Sequence, residues 1–273
     1  MERRQRVRRD AIGFHHGRLR LFALSIAVLV CLFSTWLAAG EIPLAERRSG
    51  YEFMSRETRA MQDDEATGPA LFSLLDGEAL WNRKEGPAGA SCASCHGGDS
   101  IKGVAARYPK VKSGRLVNLE QQINVCRTER QKAAPWAYES RELLALAAFV
   151  GRQSRGMPID IQSDAATAPF LAAGRASFNR RQGQLNLSCA QCHDDNWGKR
   201  LAGSVIPQAH PTGYPIYRLE WEGAGSLSRR LRNCLTGIRA ESPAYGAPEL
   251  VELELFLMWR ANGMRLETPA VRP

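Results

Sequence analysis

The apolar residues of this chain recur mainly at helical spacing. Leu143, Leu146, Ala147 and Val150 fall on one helix face, and Leu250, Leu253 and Leu257 do the same about a hundred residues later. Glu249 and Glu252 open the second of these segments, where the positive end of the helix dipole favours carboxylates. Gly151 and Gly263 close the two segments and predict left-handed caps. No long stretch alternates with the period of two that strands require. The pattern therefore predicts an all-α fold.

The pattern also repeats. Segment 72–98 (FSLLDGEALWNRKEGPAGASCASCHGG) aligns without a gap on segment 169–195 (PFLAAGRASFNRRQGQLNLSCAQCHDD), with Gly77 matching Gly174, Trp81 matching Phe178 and Cys92 matching Cys189. Further on, LLALAAFVGRQSRGMP resembles LVELELFLMWRANGMRL, Met157 answers Met264, and Cys126 answers Cys234. The second copy holds about 11 extra residues between its C-x-x-C-H and Cys234. Two tandem units follow, over 41–160 and 161–273, with an aperiodic boundary near 157–168. Each unit reads as a short helix, a cysteine-bearing turn, a Gly/Pro-rich loop and a terminal helix.

The first 40 residues stand apart. Arg-rich sequence runs to Arg20, an uncharged stretch covers Leu21 to Gly40, and Ala38-Ala39-Gly40 supplies small residues for cleavage. This predicts a signal peptide over 1–40, export to the periplasm and no permanent membrane anchor. The net charge of +9 falls to +4 once that segment is set aside. That balance, with no basic stripe interleaved with aromatics, argues against nucleic acid and suits small anions or an acidic docking partner.

Cysteine is the informative residue, with seven in 273 residues. Four lie in two C-x-x-C-H motifs, Cys92-Cys95-His96 and Cys189-Cys192-His193. Two thiols at this spacing add to the two vinyl groups of one haem, and the adjacent His reaches the iron as proximal ligand. Two covalently bound haem c groups are expected. The second axial ligand is open from spacing alone. Met157 and Met264 lie 61 and 71 residues after His96 and His193, Cys126 and Cys234 compete with them, and a Cys126–Cys234 disulfide is a third reading. The surroundings of Cys234 favour the thiol as a functional group. Arg229, Arg230, Arg232 and Arg239 cluster about it, with Arg230 four residues before it on the same helix face. Guanidinium groups bind oxyanions in bidentate fashion, so thiol, haem and arginine together suit sulfur redox chemistry on an anion. His210, in a Pro/Gly-rich loop, reads as a surface residue.

The motifs SCASCH and SCAQCH, the segments INVCRTER and RRLRNCLTGIRAE, and the tail RANGMRLETPAVRP resemble the A subunits of the diheme SoxAX cytochromes of the bacterial sulfur-oxidising (Sox) system, over roughly residues 50–273. The resemblance implies tandem cytochrome c-like domains, with Cys126 as distal ligand of the first haem. It implies that Cys234 is distal ligand of the second haem and the bearer of a persulfide sulfur, and that Arg230 holds the substrate. It implies a monohaem SoxX partner, a SoxYZ carrier whose cysteine accepts the sulfur, and oxidative conjugation of thiosulfate to that cysteine with release of two electrons. A thiosulfate dehydrogenase forming tetrathionate and a passive dihaem electron carrier are the competing readings.

Overall fold

The computed structural model describes residues 42–273, and the expected signal peptide, with Cys31, lies outside the described residues. Residues 44–273 form one compact unit. Nine α-helices occur among the described residues: α1 Arg56–Asp63, α2 Leu71–Asn82, α3 Cys92–Cys95, α4 Leu119–Cys126, α5 Arg141–Arg152, α6 Ala168–Asn179, α7 Cys189–His193, α8 Leu227–Gly237 and α9 Pro248–Arg260.

Two helix pairs organise the core, α2 against α5 and α6 against α9. Each pair crosses at a glycine. A Cβ on Gly77 would sit 2.2 Å from the Ala145 carbonyl oxygen, and one on Gly174 would sit 2.1 Å from that of Glu252. Only a residue without a side chain lets the backbones approach so closely. The apolar stripes read from the sequence close these crossings. Leu143, Leu146, Ala147 and Val150 are buried with Leu80 and Ile123, and Leu250, Leu253 and Leu257 are buried with Phe178, Phe256, Leu227, Leu231 and Leu235. A third apolar cluster, including Ile159, Ile161, Leu255 and Met258, lies between them. Residues 153–167, which connect α5 to α6, contain no helix.

Two expectations need correction. Gly151 is not a cap, because α5 continues through it and the Thr268 side chain packs where a Cβ would lie. Gly263 does take the left-handed conformation, at φ +84°, beyond the end of α9. The fold is predominantly helical but not purely so. Seven short strands are present among the described residues: β1 Lys110–Lys112, β2 Arg115–Val117, β3 Arg200–Leu201, β4 Ser204–Val205, β5 Ile216–Arg218, β6 Gly223–Gly225 and β7 Ala270–Arg272. β1–β2 and β3–β4 are hairpins, while β5 pairs antiparallel with β6 and parallel with β7. Strands of two or three residues carry too few positions for an alternating pattern to register.

Candidate active site

Cys234 owes its position to the amphipathic face of α8. Ser226 caps the helix by accepting a hydrogen bond from the Arg229 N–H at 3.1 Å. Leu227, Leu231 and Leu235, spaced by four, bury one face in the core. Arg230 and Cys234, also spaced by four, share the neighbouring face. Cys189 and Cys192 lie on α7, whose entry is fixed by a reciprocal Ser188–Gln191 capping box. The Cys234 thiol lies near enough to both to push their ionisation upward, Cys189 to about 11, although burial is the larger cause in each. The two cysteines of the motif, its histidine and the distant Cys234 are thus brought together across the helix pair.

His193 is oriented for metal binding. Its Nδ1 donates to the Pro207 carbonyl oxygen at 2.6 Å, leaving Nε2 with the lone pair. Burial lowers its pKa, the hydrogen bond to Pro207 opposes that shift, and the nearby Arg230 adds to it. His193 and Arg230 line one cavity of about 450 Å³ together with Tyr214, Arg218 and Arg272. No Asp or Glu side chain of the described residues lines this cavity. The Arg230 guanidinium, half-buried, has no hydrogen-bond or ion-pair partner among the described residues. The other arginines near Cys234 are engaged elsewhere or exposed. Arg229 stacks on Trp221 at 4.2 Å, Arg232 donates to the Pro243 carbonyl and stacks on Tyr245 at 4.5 Å, and Arg239 is exposed at the turn ending the helix.

The first half repeats the layout with different chemistry. The Cys126 thiol raises the ionisation of Cys92, pushed up to about 11 mainly by burial. His96 packs against Trp81, with ring centroids 5.7 Å apart. Four residues before Cys126 stands Gln122, whose Nε2 donates to the Cys126 sulfur at 3.2 Å, where the second half has Arg230. The adjacent Arg127 is buried in an ion pair with Glu85 and lies 3.4 Å above the Trp136 ring.

Both thiol–thiol–histidine sets fit a covalently bound haem c. Each lies beside an apolar cluster that includes the first cysteine of its motif, and each faces one further thiol from a distant helix. Among the open alternatives, Cys126 and Cys234 are both free, so no disulfide joins them. Met157 and Met264 stand on neighbouring segments bridged at Pro158 and Arg265, and Met264 packs on the central apolar cluster. His210 is buried, not superficial. Its Nδ1 lies 3.1 Å from the Arg48 carbonyl oxygen, and burial pushes its pKa down to about 4. Tyr214 and Arg218 were not signalled by any spacing, since they sit in the extra loop between the second motif and Cys234.

Residues 76–159 match the family described as SoxA/TsdA, cytochrome c domain. The chain is 38% identical over 235 residues to the L-cysteine S-thiosulfotransferase subunit SoxA of Pseudaminobacter salicylatoxidans, covering 84% of this chain and 82% of the relative. It is 36% identical to the subunit of the same name from Rhodovulum sulfidophilum, covering 83% and 80%. In structure it is similar to the SoxXA crystal structure from P. pantotrophus, with a TM-score of 0.81 and 34% identity, covering 83% of this chain and 87% of that one.

Proposed function

The chain belongs to the SoxA family of L-cysteine S-thiosulfotransferase subunits, and from that premise we propose that its second half, around Cys234 and Arg230, joins thiosulfate to a cysteine thiol of a carrier protein. The observation that carries this reading is Arg230. A half-buried guanidinium without an ion-pair partner, on a cavity free of carboxylate side chains, is costly unless an anion completes it. One helical turn away stands a thiol.

Thiosulfate is a dianion with a sulfonate end and a nucleophilic sulfur end. Arg230 binds the sulfonate through paired N–H donors and so aims the outer sulfur toward Cys234. Cys234 carries the reacting sulfur, as a persulfide, and hands the conjugate to the carrier cysteine by thiol–disulfide-type exchange. Overall, one S–S bond forms, the thiol loses its proton, and two electrons leave. Cys189, Cys192 and His193, together with Cys234, would hold a haem c, which would supply one-electron acceptor chemistry. Cys92, Cys95, His96 and Cys126 would hold the first haem in the same way. The chain then comprises two tandem cytochrome c-like domains, 41–160 and 161–273, exported to the periplasm after loss of residues 1–40. It pairs with a small SoxX cytochrome and serves a SoxYZ carrier. The first haem, with Gln122 where the substrate arginine stands in the second half, is ancillary to turnover.

In the complex with its haem-bearing partner, Arg230→Ala should raise the KM for thiosulfate by about tenfold or more, the loss expected for an ion-assisted hydrogen bond of 1.5–3 kcal/mol. Mass spectrometry of the carrier should find the thiosulfate conjugate. An unchanged KM, or tetrathionate as the sole product, defeats the proposal.

A further inference from the structure

Resting on the reading of Cys234 and Arg230 as the thiosulfate site, we propose that Arg218 is the second anion-holding group of that site and gives it its preference for dianions. Arg218 ends β5, between β6 and β7, in register with Gly223 on one side and Arg272 on the other. Its Nε donates to the Pro273 backbone oxygen at 2.7 Å, its Nη2 pairs with Glu220 at 2.5 Å and its guanidinium lies 5.2 Å from the centre of the Trp221 ring, leaving Nη1 without a hydrogen-bond partner among the described residues. The side chain is only 14% exposed and lines the same cavity as Arg230 and His193.

The two guanidiniums feel each other. Burial lowers the pKa of Arg218 most, and Arg230 is the next cause. Two like charges this close raise the free energy of the folded site unless negative charge lies between them. No Asp or Glu side chain of the described residues lines the cavity, and Glu220, which pairs with Arg218, is 61% exposed, so water screens it. The Cys234 thiol acts on Arg218 and on Tyr214. Tyr214, four residues before Arg218, keeps its phenol proton, because burial pushes its pKa up to about 12, and it faces the same cavity as a neutral donor. Arg272, the other buried cation on this wall, is committed to Gln62 and Glu267. Attraction to one arginine already grows with the ligand's charge, and a second cation adds a further share in the same proportion, which widens the gap between dianions and monoanions. The geometry therefore suits small tetrahedral dianions.

The test uses the haem-loaded complex with its partner cytochrome, comparing wild type with Arg218→Gln, Arg218→Lys and Arg230→Ala. Readouts are kcat and KM for thiosulfate, inhibition by sulfate as a dianion probe and by nitrate as a monoanion probe, and haem content, spectrum and reduction potential. Arg218→Gln should raise the thiosulfate KM and the sulfate inhibition constant about tenfold. The nitrate constant should shift less than about threefold, haem content and potential should hold, and Lys should restore part of the loss. If the Gln variant does not accumulate, the Lys variant decides: a raised sulfate constant supports the proposal and an unchanged one overturns it. An unchanged KM, or a moved potential or haem content with unchanged KM, assigns Arg218 to the haem or to the fold and overturns the proposal. If Arg230→Ala alone moves KM and the sulfate constant, only the Arg218 assignment falls. If neither variant moves them, the reading of the site itself falls.

Discussion

At the residue scale, the two thiols that face the C-x-x-C-H motifs have different neighbours. Cys126 receives a hydrogen bond from Gln122, whereas Cys234 shares its face with a cation that has no ion-pair partner among the described residues. The sequence showed four arginines around Cys234, but a one-dimensional count cannot tell a substrate-facing guanidinium from one stacked on a ring. Arg229 lies over Trp221, and Arg232 is spent on the Pro243 carbonyl and Tyr245. Arg229→Ala and Arg232→Ala should therefore lower thermal stability by about 1 kcal/mol each while leaving the thiosulfate KM within about twofold. Thermal melts and steady-state kinetics on the same preparations check this, and a tenfold KM effect from either would show that the substrate reaches farther along α8. His210 illustrates the opposite failure. Its Pro/Gly-rich context suggested surface, yet chain segments far away in sequence cover it, among them residue 48.

At the element scale, the stripes that predicted α5 and α9 are legible because each runs for three turns against a continuous core. The glycines that matched in the repeat, Gly77 and Gly174, turn out to be the points where paired helices touch. A Cβ at either must displace a carbonyl oxygen belonging to the partner helix, which cannot rotate aside as a side chain would. Gly77→Ala and Gly174→Ala should each cost about 1–3 kcal/mol by overpacking, read as a lowered melting temperature of the haem-loaded protein. Equal or higher stability would mean the crossings are looser than drawn. The strands were not legible for a physical reason. Ile216 pairs with Ala270 across more than fifty residues, and such pairing leaves no trace in a three-residue segment. Arg218 was missed with them, because β5 is what holds it at the cavity.

At the scale of the whole molecule, α4 and α9 meet over a buried acidic cluster. Asn118 donates to Glu254 at 3.1 Å, and the Tyr138 hydroxyl donates to Asn118 at 3.4 Å. Both carboxyl oxygens of Glu139 are buried without a partner. Burial raises the pKa of Glu120 and of Glu254, and repulsion from Glu139 and Glu120 respectively adds to it. Groups whose folded pKa is raised bind more protons folded than unfolded, so they stabilise at acid pH and lose that stabilisation as pH rises. The protein should lose about 2 kcal/mol as pH rises from the ordinary carboxyl range through neutrality. Glu254→Gln should flatten that slope and leave the variant the more stable of the two in alkaline buffer. Melting temperature against pH for both proteins measures it, and a wild-type stability that rises over this interval would refute the assignment. Nothing in the sequence announced this cluster, since its three glutamates come from separate segments and look like ordinary surface residues.

The central claim is that Cys234 is the sulfur-bearing residue and Arg230 its anion holder. The most direct measurement is thiosulfate-dependent conjugation of the carrier cysteine by the haem-loaded complex carrying Cys234→Ala, with Arg229→Ala as the control on the same helix. The account predicts that conjugation falls about a thousandfold or more in the first and stays near wild type in the second. Near-full conjugation by Cys234→Ala, with both haem motifs loaded, would contradict it.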